Sequence, residues 1–320
     1  MWRLISGIFM GWSLGANDSA NVFGTAVSSG LIRYKTAVLL CSLFVIAGSV
    51  LEGEKCIKVL NDLSTYNINA AFGITLAASI TMTILTYLGL PASTSQALVG
   101  AVIGWSIIEK VPNFKVVYKV VLCWVLTPIC AVFIGWSFYK LLYPLIKRLF
   151  KSLISQNRFF FWSVIIIGCY GSYTLGANNV ANVTGVYVGA RLLSPKVAAL
   201  IGGLSISLGV LTYSKKVMFT VGKSIVPLDS FSAVISLFSE AATLHIFTQI
   251  GIPVSSSQAI VGGVIGVGVA KDISTVDLRV ITKIFLGWVS TPLTAAFLSF
   301  IGRYLELWAS NSVFLYSCVN

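Results

Sequence analysis

Three blocks of this sequence occur twice, in the same order. Leu14-Gly15-Ala16-Asn17 returns as Leu175-Gly176-Ala177-Asn178, GLPASTSQALVGAVIG (89–104) as GIPVSSSQAIVGGVIG (251–266), and the run Trp124 to Pro128 as Trp288 to Pro292. The offsets are 161, 162 and 164 residues. So little drift over so long a separation marks a duplicated unit. It divides the chain into an N-terminal membrane repeat at 1–145, a basic linker at 146–158 and a C-terminal membrane repeat at 159–320. Whatever one half folds into, the other must match.

Of the 320 residues, 57% are hydrophobic and 10% charged, against roughly 25% charged in a soluble globular protein. A soluble domain of this length cannot cover so much apolar surface. The composition describes an all-α polytopic membrane protein, seated in the lipid of a cell membrane. The net charge of +12 does not indicate nucleic acid, because the basic residues lie in short clusters between apolar runs. The densest cluster is Lys140, Lys147, Arg148, Lys151 and Arg158, which the positive-inside rule places in the cytoplasm. Cys41, Cys56, Cys123, Cys130, Cys169 and Cys318 form no C-x-x-C pair and read as small buried thiols. Neither a disulfide framework nor a cofactor is expected. Arg3 and the apolar run after it lead directly into a polar motif, so this first segment reads as retained and not as a signal peptide.

Apolar runs at 2–16 and 20–32, and again at 159–176 and 181–193, flank two polar motifs. Singly they are shorter than the roughly 20 residues a helix needs to cross a bilayer; 92–108 and 253–270, Gly/Ser-rich and each with a Pro at or just before its start, are where broken, re-entering helices are expected. Residues 53–69 and 214–230 read as polar loops. If each half crosses an odd number of times, the two are inverted repeats, both termini lie outside, and a site falls between the repeats at the midplane.

The first motif, LGANDSANVFGT (14–25), places Asn17, Asp18 and Asn21 among small and apolar residues; LGANNVANVTGV (175–186) repeats it with Asn178, Asn179 and Asn182. Asn17 and Asn21 are four apart, hence on one helix face. A charge at membrane depth costs at least about 2.5–3.5 kcal/mol on insertion scales, so Asp18 must face a partner or a wet cavity. Interhelical glue, worth about 0.6 kcal/mol per hydrogen bond, accounts for one Asn. Two matched pairs together with an Asp mark a site.

In the second motif Ser93, Thr94, Ser95 and Gln96 follow Pro91, and Ser255, Ser256, Ser257 and Gln258 follow Pro253. Proline, then hydroxyls, then an apolar run is a helix N-terminus. A helix that starts inside the bilayer leaves orphan N–H groups. Hydroxyls can cap them, and with the helix dipole they can bind an anion. Two such starts, one from each half, could grip one oxyanion. Gly100-x-x-x-Gly104 and Gly262-x-x-x-Gly266 are assigned to close helix packing. Neither motif holds Lys or Arg, so a cation must enter with any anion held beside Asp18. Na⁺ would find oxygen ligands in Asn17, Asp18, Asn21, Asn178, Asn179 and Asn182. A proton on Asp18 is the other way to balance the charge.

GANDSANVFGTAVSSG and PASTSQALVGAVIG, paired with GANNVANVTG and PVSSSQAIVGGVIGVG, resemble the inorganic phosphate transporter family over nearly the whole chain. The resemblance implies a secondary transporter, not an enzyme, with inverted repeats and two re-entrant hairpins, taking up phosphate by symport with sodium or protons. It implies substrate contacts from Asp18, Asn21, Asn179 and Asn182, and from both hydroxyl clusters with Gln96 and Gln258. The chain departs from the family at Asn179, where a second Asp is usual. That change implies one fewer coupling cation, proton coupling, or a different anion charge. The family also holds sulfate carriers, so sulfate stays open beside phosphate, and a homodimer stays open as the oligomer.

Glu240 lies in the apolar run SLFSEAATLHIF, with Ala78 as its repeat counterpart, and is a candidate ion or proton site. His245, the single histidine, reads as a packing residue, and Glu52 near Lys55 as interfacial. Two other functional classes compete. A cation transporter or channel would use the oxygen-rich motifs but has no need of two opposed helix starts. An intramembrane serine hydrolase would need a base beside its nucleophile, and the histidine lies outside both serine clusters.

Overall fold

The computed structural model describes residues 2–28, 30–61, 67–88, 92–109, 114–224, 229–271 and 278–319. Among the described residues are eleven α-helices. The first half holds α1 (Ile5–Ser28), α2 (Tyr34–Glu52), α3 (Glu54–Asn61), α4 (Ile68–Tyr87), α5 (Thr94–Glu109) and α6 (Phe114–Leu149). The second holds α7 (Leu153–Gly189), α8 (Pro195–Ser224), α9 (Ser230–Gln249), α10 (Ser256–Lys271) and α11 (Leu278–Val319). Seven of them, α2, α4, α6, α7, α8, α9 and α11, contain stretches long and apolar enough to cross a membrane. The protein is an all-α, multi-pass membrane protein. α1 is long enough as well, but its polar motif dilutes its apolar content.

One expectation is corrected and another holds. Both Asn-rich motifs lie on helices, as their four-residue spacing implied: α1 runs through Asn17 to Asn21, and α7 through Asn178 to Asn182. The Asn and Asp side chains of the motifs bond to neighbouring helices and to one another, not to their own backbone, so they do not compete with the helical ladder. The segments 53–69 and 214–230 are also largely helical where described. α3 buries Cys56 and Ile57 while Lys58 stays outside, paired with Glu54. α8 continues to Ser224, with Val217 and Met218 buried. In the basic segment 146–158, Phe150 to Ser152 separate α6 from α7, and the five clustered basic residues are exposed. Pro91 lies outside the described residues, as does the side chain of Cys318. The remaining cysteines are free thiols, fully or partly buried.

The halves interlock by exchange. α1 packs on α8 and α7 on α2; α5 packs on α11 and α10 on α6. Glycine permits the approach. A side chain at Gly15 would overlap the Ile206 carbonyl, and one at its counterpart Gly176 would overlap the Val45 carbonyl. Gly100 and Gly104 lie against the carbonyls of Pro292 and Ala296, as Gly262 and Gly266 lie against those of Pro128 and Val132. The glycine spacing therefore has the packing role expected of it. Within each half, α4 pairs with α5 and α9 with α10. The starts of α4 and α9 match too: Asn67 and Asp229 accept from the N–H groups of Ala70 and Ser232, each at 2.7 Å, which satisfies an otherwise orphan donor.

Candidate functional site

The duplicated polar residues are nearly all buried. Asp18 is 1% exposed, and Asn179, its repeat counterpart, is also 1% exposed. Asp18 projects from the middle of α1. Its Oδ2 accepts from Thr94 Oγ1 at 3.1 Å and from Ser256 Oγ at 2.9 Å. Thr94 is the first residue of α5 and Ser256 the first of α10. One carboxylate oxygen thus receives the leading hydroxyl of a short helix from each half. Asn21 joins them, donating from Nδ2 to Ser256 Oγ at 3.3 Å. The two serine clusters lie together around a shared centre, as the repeat requires.

The helix starts use their remaining hydroxyls in matched ways. Ser93 Oγ accepts from the Gln96 N–H at 3.4 Å, and Ser255 Oγ from the Gln258 N–H at 3.2 Å, so both serines act as caps. Ser95 and Ser257 bond to these caps at 3.3 and 2.9 Å. Each motif's first carboxamide braces its own half. Asn17 Nδ2 donates to Thr86 Oγ1 at 2.8 Å, and Asn178 Nδ2 to Thr248 Oγ1 at 3.0 Å. Asn178 Oδ1 also accepts from the Val254 N–H at 2.8 Å, which pins the α9–α10 connection. Both ends of Asn178 are thus engaged in bracing the fold.

Several buried polar atoms have no partner among the described residues: Asp18 Oδ1, Asn179 Nδ2, Asn182 Oδ1, and the side-chain oxygens of Gln96 and Gln258. Asn182 Nδ2 donates to Asn179 Oδ1 at 3.0 Å, so the pair keeps one donor and one acceptor to offer. Buried polar groups left unpaired cost about 1–3 kcal/mol each, and these five atoms all belong to the duplicated motifs. Glu240 is 0% exposed and both its oxygens are likewise unpartnered. It sits where α9 meets α1 across α7. A Cβ at Gly171 would lie 3.2 Å from Val22 and 3.8 Å from Ala241. No group of three or more His, Cys, Asp or Glu suited to a metal ion occurs among the described residues.

Sequence reasoning missed the braces Thr86 and Thr248, although both fall on the repeat spacing of 162. It also missed a polar network around Glu52. His245 Nδ1 lies 2.7 Å from Tyr170 OH, and its Nε2 lies 3.5 Å from Glu52 Oε2. Only the side-by-side placement of α2, α7 and α9 reveals it.

Two interlocked halves around one buried polar centre, inside a multi-pass fold, define a membrane transporter. The model described as the phosphate transporter family matches residues 14–159 and 147–299, and the chain belongs to that family. It is 31% identical over 299 residues to a Methanocaldococcus jannaschii protein named as a candidate phosphate permease, covering 93% of this chain and 95% of the relative. It is 28% identical over 305 residues to the sulfate permease CysP of Bacillus subtilis, covering 93% of this chain and 85% of the relative. Among solved structures, one described as a sodium-dependent phosphate transporter superposes with a TM-score of 0.85 at 25% identity, covering 96% of this chain and all of the other.

Proposed function

We propose that the protein is a secondary active transporter that carries inorganic phosphate across the cell membrane by symport with a cation, Na⁺ or H⁺. One observation carries this reading: the leading hydroxyls of two helices, one from each half, converge on the single carboxylate oxygen Asp18 Oδ2. Those helix starts are suited to an oxyanion. Asp18 occupies their donors and would repel one. A cation taken up by Asp18, through its unpartnered Oδ1, releases both constraints and makes binding of the two solutes interdependent.

The site residues follow from this arrangement. Thr94 and Ser256 are the oxyanion donors, supported by Ser93, Ser95, Ser255 and Ser257. Asp18 with Asn21, Asn179 and Asn182 offers oxygens to the cation and amide donors to the anion. Glu240 supplies a second buried negative charge, where Asn179 lacks one. The halves at 1–145 and 159–320 are read as inverted repeats. Excluding the short α3, each half has five helices. If α4–α5 and α9–α10 are re-entrant hairpins, three crossings remain, and three and five are both odd. The basic junction of α6 and α7 then faces the cytoplasm, with both termini outside.

Sulfate is the second reading, favoured by the similarity to a sulfate permease. Phosphate is preferred because hydrogen phosphate carries P–OH donors and sulfate has none. The unpartnered oxygens of Gln96 and Gln258 are acceptors, and a site built to pair with a hydroxyl rejects an analogue that lacks it. The test is uptake of labelled phosphate by proteoliposomes, with and without an inward sodium or proton gradient, in competition with sulfate. Gradient-driven phosphate accumulation is expected. Movement of sodium with no oxyanion would overturn the reading, and stronger competition by sulfate than by unlabelled phosphate would reassign the substrate.

A further inference from the structure

Away from the polar centre, α4, α5 and α11 enclose a groove of about 480 Å³. Its lining is polar at Arg3, Asn69 and Glu306 and apolar along Leu76, Ile80 and Leu298. Asn69 Nδ2 donates to Glu306 Oε1 at 2.9 Å, which closes the polar end between α4 and α11. Both helices are membrane spans, and Ile80 and Ile301 stay exposed along the groove, so it opens towards lipid. Trp2, 63% exposed beside Arg3, marks the polar end as the membrane interface.

The duplication supplies a control, because the equivalent place in the other half is filled. The counterparts of Leu76 and Gly302 are Phe238 and Phe138, whose ring centroids are 4.7 Å apart. Gly302 lines the groove, and a Cβ there would meet nothing within 4 Å. The polar end changes in the same sense. Asn69 and Arg303 correspond to Phe231 and Tyr139, whose rings lie 5.2 Å apart. The same architecture thus packs shut with aromatic rings, and helix packing alone does not call for an opening. Charge is also distinctive. Arg303 pairs with Glu306 at 2.8 Å, while Arg3 has no ion pair among the described residues. Two arginines against one glutamate leave the polar end net positive.

We propose that this groove is a binding site for one anionic phospholipid, with an acyl chain laid along α4 and the phosphate at Arg3. The inference goes beyond the transport reading and does not depend on it. The length suits one leaflet. Asn69 and Ile80 are 11 residues apart on α4, about 16 Å at the helical rise, and a hydrocarbon core of about 30 Å gives each leaflet about 15 Å. The head group suits the charge, since a guanidinium fork matches two phosphate oxygens. The Arg3 guanidinium stands over the Trp2 ring, 5.3 Å from its centroid, at the level where head groups lie. In this half the lipid chain takes the volume that Phe138 and Phe238 take in the other.

The test uses the full-length chain purified in mild detergent, titrated with phosphatidylglycerol or phosphatidylcholine, with bound lipid counted by native mass spectrometry. One phosphatidylglycerol per chain is expected, held about fivefold more tightly than phosphatidylcholine, the worth of one basic side chain at an anionic surface. Arg3→Gln should abolish that preference. Leu76→Phe with Gly302→Phe copies the filled half and should remove the bound lipid, while the melting temperature of the lipid-free protein holds or rises. Equal binding of the two lipids by the parent would overturn the proposal, as would undiminished binding by the filled variant. A dimer of the parent that the filled variant breaks would also overturn it, because a second copy would then occupy the groove. Should the filled variant fail to fold, the comparison of the parent with Arg3→Gln still decides. Uptake plays no part in these readouts, so failure of the phosphate reading leaves them intact, and their failure leaves uptake intact.

Discussion

Ser256 Oγ, at the first residue of α10, donates to Asp18 Oδ2 at the middle of α1 across 2.9 Å. The bond joins the second half's short helix to the first half's motif helix, and Thr94 makes the equivalent bond to the same oxygen at 3.1 Å. Several expectations depend on that junction.

Thr94→Ala and Ser256→Ala each remove one donor to a buried carboxylate, a bond worth about 1.5–3 kcal/mol. Each should raise the half-saturating phosphate concentration by about tenfold. Sharing one acceptor, the two should not add, and their coupling should exceed about 0.5 kcal/mol. Initial uptake rates from a double-mutant cycle check this.

Asp18→Asn keeps the size and one acceptor of the side chain but removes its charge. The protein should remain monodisperse on gel filtration, while gradient-driven uptake falls to background, because the coupling cation loses its counter-charge. Normal sodium-driven uptake by this variant would remove Asp18 from the cation site.

Glu240→Gln removes a buried carboxylate that accepts no bond among the described residues, so thermal stability should hold or rise. If Glu240 supplies the second negative charge, ion-driven uptake should fall by about tenfold or more, in keeping with the functional role of intramembrane carboxylates. Paired measurement of ion and phosphate flux in liposomes distinguishes a loss of coupling from a loss of protein.

Gly262→Val places a branched side chain against the Pro128 carbonyl. Overpacking of this kind costs about 1–3 kcal/mol, and the α6–α10 contact should loosen. The melting temperature in detergent should drop, as it should for Gly100→Val at the matching contact with Pro292.

Outside the spans, Asp229 has a pKa below its ordinary 3.8: partial burial works to raise it, but the Lys271 ammonium and the Ser232 N–H pull it down further. A carboxyl with a depressed folded-state pKa contributes stability above its unfolded value and loses that contribution as pH falls through the folded one. The melting temperature should therefore decline below about pH 4, modestly, since the pair is half exposed and such pairs contribute about 0–1 kcal/mol. Asp229→Asn should flatten that part of the pH profile.

The repeat, the two motifs and the pairing of halves were legible because duplicated polar residues in an apolar chain have few explanations. The helix starts at Thr94 and Ser256 were legible from proline and hydroxyl order. What stayed hidden was of two kinds. The helical content of 53–69 and 214–230 was masked, because polar composition measures hydrophobicity and not backbone hydrogen bonding. The Glu52 cluster was hidden because its members come from α2, α3, α7 and α9, whose adjacency no local pattern encodes. The same holds for the division of labour within each motif, in which Asn178 braces the fold while Asp18 faces the helix starts.

The carbonyl contacts at Gly15 and Gly176 bear on how the molecule is made. α1 packs on α8, and α2 on α7, so no early helix completes its interface until the later half has been synthesised. Chain elongation at about 5–20 residues per second leaves the first repeat waiting in the bilayer with bare backbone stripes exposed to lipid. Assembly is therefore a late, concerted docking of two incomplete bundles, and a ribosome that stalls between them leaves behind an orphan without its mate.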